Sequence, residues 1–204
     1  MRIACSLGSL LSVEEVLQCT EIASKTGIDS IWIPETWGME NFSMLGAVAN
    51  NTKTQKIGSS IINIYSRSPS TIAMGSATID TLSNGRLILG LGTSSVPIVE
   101  DFHGQKFENP VQRMREYVEI IRLSLMKKQI NYSGKIFDLK NFTLLIEPKR
   151  KSIPIYLAAI NEKMVNLCWE IGDGVIFYLR PIDEMKETIS KMQSQKNIDV
   201  ACQI

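Results

Sequence analysis

Glu35 closes the apolar run Ser30-Ile31-Trp32-Ile33-Pro34 and is the first side chain here with an obvious chemical use. Desolvation favours the protonated form of a carboxyl buried at the mouth of a strand, which suits a general acid or a cofactor-orienting group. An exposed loop acid beside Trp37 is the plainer alternative, and the residues leave both open. Uncharged polar groups stand in comparable places. Asn63 ends a second apolar run, Thr93-Ser94-Ser95 a third, and Ala158-Ala159-Ile160-Asn161 a fourth that then opens a helix. Short amide and hydroxyl side chains donate and accept hydrogen bonds without bringing charge to a buried ligand. They equally serve turns and caps, which is the alternative for Ser94, Ser95 and Asn161. Free amides at a helix start make an anion site, to which Lys163 offers a charge.

Other candidates point to structure. His103, in Asp101-Phe102-His103-Gly104, is the only histidine and has no Cys, Asp or Glu at ligand spacing. A loop-ordering hydrogen bond suits it better than a metal, and no metal is expected. Cys5, Cys19, Cys168 and Cys202 form no CxxC pair and read as buried thiols of a reducing compartment. Met39, Met44, Met74 and Met164 read as core or pocket fillers. With 22 Lys and Arg against 21 Asp and Glu, the net charge of +1 argues against nucleic acid. Lys149-Arg150-Lys151 is the densest basic cluster and reads as a solvated loop rather than a membrane-surface patch. No apolar stretch approaches the roughly 20 residues that cross a bilayer. Met1-Arg2-Ile3-Ala4-Cys5 is faintly signal-like, but the capping box at Ser12-Val13-Glu14-Glu15 makes it a first strand. A cytoplasmic protein with a small-molecule substrate, no nucleic acid and no membrane partner is expected.

The elements that must position these residues recur in a strand–helix rhythm. Strands are predicted near Ile3–Leu7, Ser30–Pro34, Lys56–Ile64, Leu87–Leu91, Ile155–Ala159, Val175–Tyr178 and Asp199–Ile204. They are apolar almost throughout, as parallel strands covered on both faces are. Ser12 caps the first helix and Gly27 stops it; Ser68-Pro69 opens the third and Asn84-Gly85 closes it. Asn109-Pro110 opens a long helix through about Met126, and Pro181 opens the last. One connection, from Leu91 to Ile155, is about twice the usual repeat and carries a strand–turn–strand signal at Ile130–Phe137. We read it as a surface hairpin insertion around 129–147 in a single domain spanning 1–204. The alternation gives an α/β fold. The stretch after the first strand, Ser6-Leu7-Gly8-Ser9-Leu10-Leu11, lacks GxGxxG, so a TIM barrel is favoured over a doubly wound nucleotide-binding sheet.

Five stretches carry a family resemblance. They are Ile31–Glu35; Lys56–Ile61 with Arg67-Ser68-Pro69; Thr81–Arg86 leading to Leu89-Gly90-Leu91-Gly92; His103-Gly104 with Phe107 and Pro110, Arg113 and Glu116; and Ile153–Ala159 followed by Glu170–Val175. In order and spacing they resemble the luciferase-like monooxygenase superfamily, (β/α)8 TIM barrels that bind flavin or deazaflavin. More narrowly they resemble the branch around coenzyme F-420-dependent methylenetetrahydromethanopterin reductase. The resemblance implies an oxidoreductase transferring hydride to or from a small substrate, such as a pterin-like one-carbon carrier. It implies coenzyme F-420 (8-hydroxy-5-deazaflavin) before FMN, because Thr93 stands where a basic residue would favour an FMN phosphate. The alternatives are an FMN-dependent monooxygenase using oxygen and a shortened, non-catalytic cofactor-binding member.

The resemblance further implies a bulge with a cis peptide at Ser60–Ile61, pressing on the back of the cofactor ring. It brings Asn63, Thr93 and Ser94 to the ring's polar edge and gives Ala159, Ile160 and Asn161 to the phosphate-bearing tail. Relatives often have glycine at the tail site. They also tend to carry carboxylates or a histidine where Ser6, Thr36 and Ser95 stand, so that Glu35 alone matches an acidic site. A homodimer through the first helices is implied. Members are longer, and this chain stops as a seventh strand begins, which suggests a fragment or shortened product with an open seam.

Overall fold

The computed structural model describes residues 2–8, 10–126 and 129–203. Its strands and helices alternate as β1 (Ala4–Ser6), α1 (Val13–Ser24), β2 (Ser30–Ile33), α2 (Asn41–Asn51), β3 (Lys56–Ser59), β4 (Ile62–Asn63), α3 (Pro69–Leu82) and β5 (Leu87–Gly92). Then come α4 (Pro110–Met126), β6 (Gln129–Ser133), β7 (Asp138–Thr143), β8 (Ile155–Ala158), α5 (Glu162–Ile171), β9 (Gly174–Tyr178), α6 (Ile182–Gln193) and β10 (Asp199–Gln203). A parallel sheet runs β1-β2-β3-β5-β8-β9-β10, with β4 also beside β5. The result is a nearly closed, barrel-like sheet of seven strand positions. Its two edges, β1 and β10, meet through an ion pair between Arg2 and Asp199.

The strand predicted over Lys56–Ile64 is two pieces. The break falls at Ser60–Ile61, whose peptide bond is cis. The last predicted strand ends at Gln203; Ile204 lies outside the described residues.

Local chemistry sets the helix ends. Ser12 Oγ accepts from Glu15 N (3.2 Å) and Glu15 Oε2 from Ser12 N (2.7 Å), closing the capping box of α1. Asn84 and Gly85, at φ 55° and 81°, turn the chain from α3 into β5, a conformation glycine tolerates without a Cβ penalty.

Two apolar layers form. The larger lies between the outer face of the sheet and the helices. The smaller fills the barrel interior with Trp32, Ile88, Tyr156 and Ile176. Gly58 leaves room for it, since a Cβ there would run into the Trp32 indole.

Not every expected core residue is inside. Cys168 is buried, and burial pushes its thiol up to about 12. Cys5 and Cys19 are half-buried, and Cys202 is exposed because β10 is an edge strand. Met44 and Met164 are core residues, but Met74 sits on the outward side of α3 and is exposed.

The predicted hairpin is β6 and β7, paired antiparallel. Its anchor is Glu116 on α4, fully buried, which accepts from the amides of Lys135 (2.8 Å), Ile136 (3.0 Å) and Phe137 (2.9 Å) and from Gln112 Nε2 (2.8 Å). Burial alone would raise this carboxyl; the hydrogen bonds outweigh it and hold the group below the usual carboxylate range.

Candidate functional site

The carboxyl ends of the parallel strands gather most of the residues singled out in the sequence. Glu35 follows β2. Its carboxylate receives two bonds from the Arg67 guanidinium, to Oε1 and Oε2, each of 2.6 Å, and one from Asn41 N at 3.0 Å. Arg67 also pairs with Glu40, which caps α2 by accepting from Phe42 N (3.1 Å) and Ser43 N (2.7 Å). Asn41 Nδ2 completes the staple by donating to Ile33 O at 2.6 Å. Burial opposes the Arg67 charge, but its two carboxylates raise its pKa above the ordinary value. Glu35, expected as a proton-handling group, thus has its lone pairs committed to a clamp that fixes both ends of the loop between β2 and α2.

Ser60, Ile61 and Asn63 sit around the break between β3 and β4. Asn63 is 2% exposed; its Oδ1 accepts from Tyr65 N at 2.9 Å. Asn63 Nδ2 and Ser60 Oγ are buried without a hydrogen-bond partner, as is Thr36 Oγ1 at the end of β2. Natural proteins rarely leave such groups unpaired, because each costs about 1–3 kcal/mol. Asn63 pairs in register with Gly92, so Thr93 is the next residue along the adjoining strand end. Ile61 lies against Gly92, where a Cβ would come within 2.5 Å of Ile61 Cγ1. Thr93 and Ser94 are half-buried, and Ser94 is left-handed at φ 58°, which turns the chain away from β5.

Beyond β8, Ala159 is buried and its amide donates to Ile176 O at 3.2 Å. That bond commits one of the amides expected for a phosphate tail. Ile160 is exposed, and Asn161 Oδ1 accepts from Met164 N at 3.0 Å. Asn161 is therefore the cap of α5, as its plainer reading had it.

A cleft of ≈ 370 Å³ opens along the seam. Ser60 is the one predicted site residue on its wall, beside Trp32, Ile88, Tyr156 and Ile176 of the interior layer. Its floor is polar: the Tyr156 hydroxyl donates to Asp199, which pairs with Arg2. Burial and the Asp199 carboxylate push the Tyr156 phenol above its ordinary value.

Arg67 and this floor cluster are the site residues that sequence reasoning missed. Their partners lie far away along the chain, and no spacing rule announces them. His103 ends a π-helical turn at Ile98–Phe102, its ring 4.9 Å from that of Phe102. Among the described residues, no group of three or more His, Cys, Asp or Glu could hold a metal ion.

The sequence pattern of luciferase-like monooxygenases matches residues 1–201. The chain belongs to that family. A 5,10-methylenetetrahydromethanopterin reductase of Archaeoglobus fulgidus is 39% identical over 157 residues, covering 76% of this chain and 46% of that protein. A putative coenzyme F420-dependent oxidoreductase of Mycobacterium tuberculosis is 35% identical over 170 residues, covering 76% of this chain and 49% of that protein. The chain spans about half the length of these curated relatives. In fold it is similar to the coenzyme F420-dependent tetrahydromethanopterin reductase of Methanopyrus kandleri (TM-score 0.89, 23% identity, 98% of this chain and 65% of that one). A monooxygenase of Streptomyces bottropensis gives a TM-score of 0.88 at 19% identity, over 99% of this chain and 70% of that one.

The residues at the mouth of this luciferase-like barrel fit a planar, largely uncharged ring with a polar edge. Ser60 Oγ and Asn63 Nδ2 are unspent polar groups, and Ile61 offers an apolar surface between them.

Proposed function

We propose that this luciferase-like protein is an oxidoreductase that moves hydride between a deazaflavin or flavin and a small substrate, with coenzyme F-420 its cofactor before FMN. The observation that carries this reading is the pair of buried, unpartnered groups, Ser60 Oγ and Asn63 Nδ2, beside Ile61 at the strand ends. When bound, the cofactor would supply the ring atom that accepts or gives a hydride, a carbon in a deazaflavin and a nitrogen in a flavin. Ile61 backs the ring, while Ser60, Asn63, Thr93 and Ser94 meet its polar edge. The half-buried Ile61 and the interior layer below it keep water from that face. The start of α5, from Ala159 to Asn161, takes the tail, received by the amides that the Ile176 carbonyl and the Asn161 cap leave open.

Glu35 acts through the clamp. It holds the β2–α2 loop, and with it Thr36, at the mouth, and it does so as a carboxylate paired to Arg67. A pterin-like one-carbon carrier is the proposed substrate type, supported by the likeness to methylenetetrahydromethanopterin reductases. A cytoplasmic setting and a homodimer complete the proposal.

The test is anaerobic reoxidation of reduced F-420 by methylenetetrahydromethanopterin, followed as return of deazaflavin absorbance. Turnover supports the reading. Turnover seen only with reduced FMN and oxygen would move the protein to the monooxygenase chemistry of the same fold.

A further inference from the structure

Three arginines of α4 are held in two different ways. Arg115 and Arg122 pair with carboxylates, Glu170 and Asp173. Arg113 has no such partner among the described residues, and its Nε is buried without a hydrogen bond. Its guanidinium carbon instead lies 4.6 Å from the centre of the Tyr65 ring and 5.4 Å from that of Phe137. Ring faces attract a cation, and more strongly where water is excluded. Burial raises the Tyr65 and Tyr117 phenols, and the Arg113 charge works against that rise.

The two rings belong to separate parts of the molecule. Phe137 ends the turn of the β6–β7 hairpin, its amide on the buried Glu116. Tyr65 follows β4, and its amide donates to Asn63 Oδ1 at 2.9 Å. That bond orients the Asn63 carboxamide and leaves Nδ2 unspent. Turning the carboxamide therefore requires Tyr65 to shift. Tyr65 is held by Arg113, by Phe107 stacked 5.3 Å away, and by its hydroxyl on Glu108 O at 2.9 Å. Tyr117 extends the same contact. It meets Phe137 edge-on at 5.2 Å and donates its hydroxyl to Arg67 O, on the residue that clamps Glu35 and Glu40.

We infer that Arg113 is a positioning residue: seated on Phe137 and Tyr65, it ties the hairpin turn to the strand-end segment and so presets the Asn63 amide for the cofactor ring. The inference rests on Asn63 meeting the cofactor. Arg113 itself touches no part of the ring and acts only through Tyr65.

The experiment is a double-mutant cycle on the whole chain, Arg113→Met against Asn63→Leu, read by titration with F-420. Methionine keeps much of the arginine stem and removes the charge. With Asn63 present, Arg113→Met is expected to weaken F-420 about fivefold, the worth of a desolvated cation on aromatic rings. In the Asn63→Leu background the same change should cost less than about twofold, because the group it positions is gone. Arg113→Lys, which returns a cation to the rings, should bind within about twofold of the wild type. Hydrogen exchange at the Tyr65 amide reads the same contact without cofactor, and Arg113→Met should speed it about fivefold. Should Arg113→Met fail to fold, Phe137→Leu takes its place in the cycle, with the same pattern expected.

Equal losses in the two Asn63 backgrounds overturn the proposal, since Arg113 would then act by general loosening. So does Arg113→Met binding as tightly as Arg113→Lys, which would make the side chain a spacer. If the wild type binds neither F-420 nor FMN, the cofactor reading falls. Faster exchange at Tyr65 then still upholds the tie between hairpin and Asn63, and unchanged exchange ends it. If the wild type binds F-420 and the two penalties multiply, the positioning role falls alone.

Discussion

Glu35 and Asn63 occupy comparable strand ends and do opposite things. The Glu35 carboxylate is surrounded by donors, whereas Asn63 keeps one amide hydrogen pair unspent in a buried place. Replacing Asn63 with Leu, close in volume, should weaken F-420 or FMN binding about tenfold, the worth of one buried hydrogen bond to a ligand, and cost about 1–3 kcal/mol of stability because it also strands the Tyr65 amide. Cofactor titration of the variant checks this, and unchanged affinity would remove Asn63 from the site. Arg67→Met leaves Glu35 and Glu40 without their shared cation. It should lower the unfolding free energy by about 2–4 kcal/mol, read from urea denaturation. The sequence exposed Glu35 as an acid at a strand end, but not its partner. Arg67 stands 32 residues away, beyond the reach of any local pattern.

At the scale of elements, helix starts were legible because their signals are short-range. Ser12, Ser68 and Asn161 each cap the helix expected of them. The start of α2 was not, since Glu40 caps it with a longer side chain than the usual Ser, Thr, Asp or Asn. The π-helical turn at Ile98–Phe102 carries no sequence signal of its own.

The β6–β7 hairpin was visible as a strand–turn–strand pattern, but its attachment to Glu116 was not. That attachment has a pH signature. Because the folded protein holds the Glu116 carboxyl below its usual range, its contribution is present above the ordinary carboxylate pKa. The contribution drains away as pH falls through that value toward the lower one of the folded state. Glu116→Gln should flatten that part of the acid stability curve. It should also speed hydrogen exchange at the amides of Lys135, Ile136 and Phe137. An acid limb identical to the wild type's would contradict the assignment. Gly134→Ala tests the same contact from the other side, since its Cβ would collide with the Glu116 carboxylate.

Over the whole molecule, parallel strands that are apolar on both faces announced an α/β sheet covered by helices, and the missing GxGxxG after the first strand tipped the choice to a barrel. What the pattern left open was the barrel's interior. Trp32, Tyr156 and Ile176 face inward only by the parity of their strands, and parity is fixed by the register of neighbours rather than by the residues themselves. The break that divides β3 from β4 belongs to this scale too, because it sets where Ser60 and Asn63 stand relative to Thr93.

The central claim is that this mouth holds a deazaflavin or flavin ring. The most direct measurement is a titration of the purified chain with coenzyme F-420 and, separately, with FMN, read by absorbance and fluorescence against the Asn63→Leu variant. The account predicts a saturable, one-to-one change with F-420, tighter than with FMN and weakened by the substitution. No saturable change with either cofactor, or binding indifferent to Asn63, would contradict it.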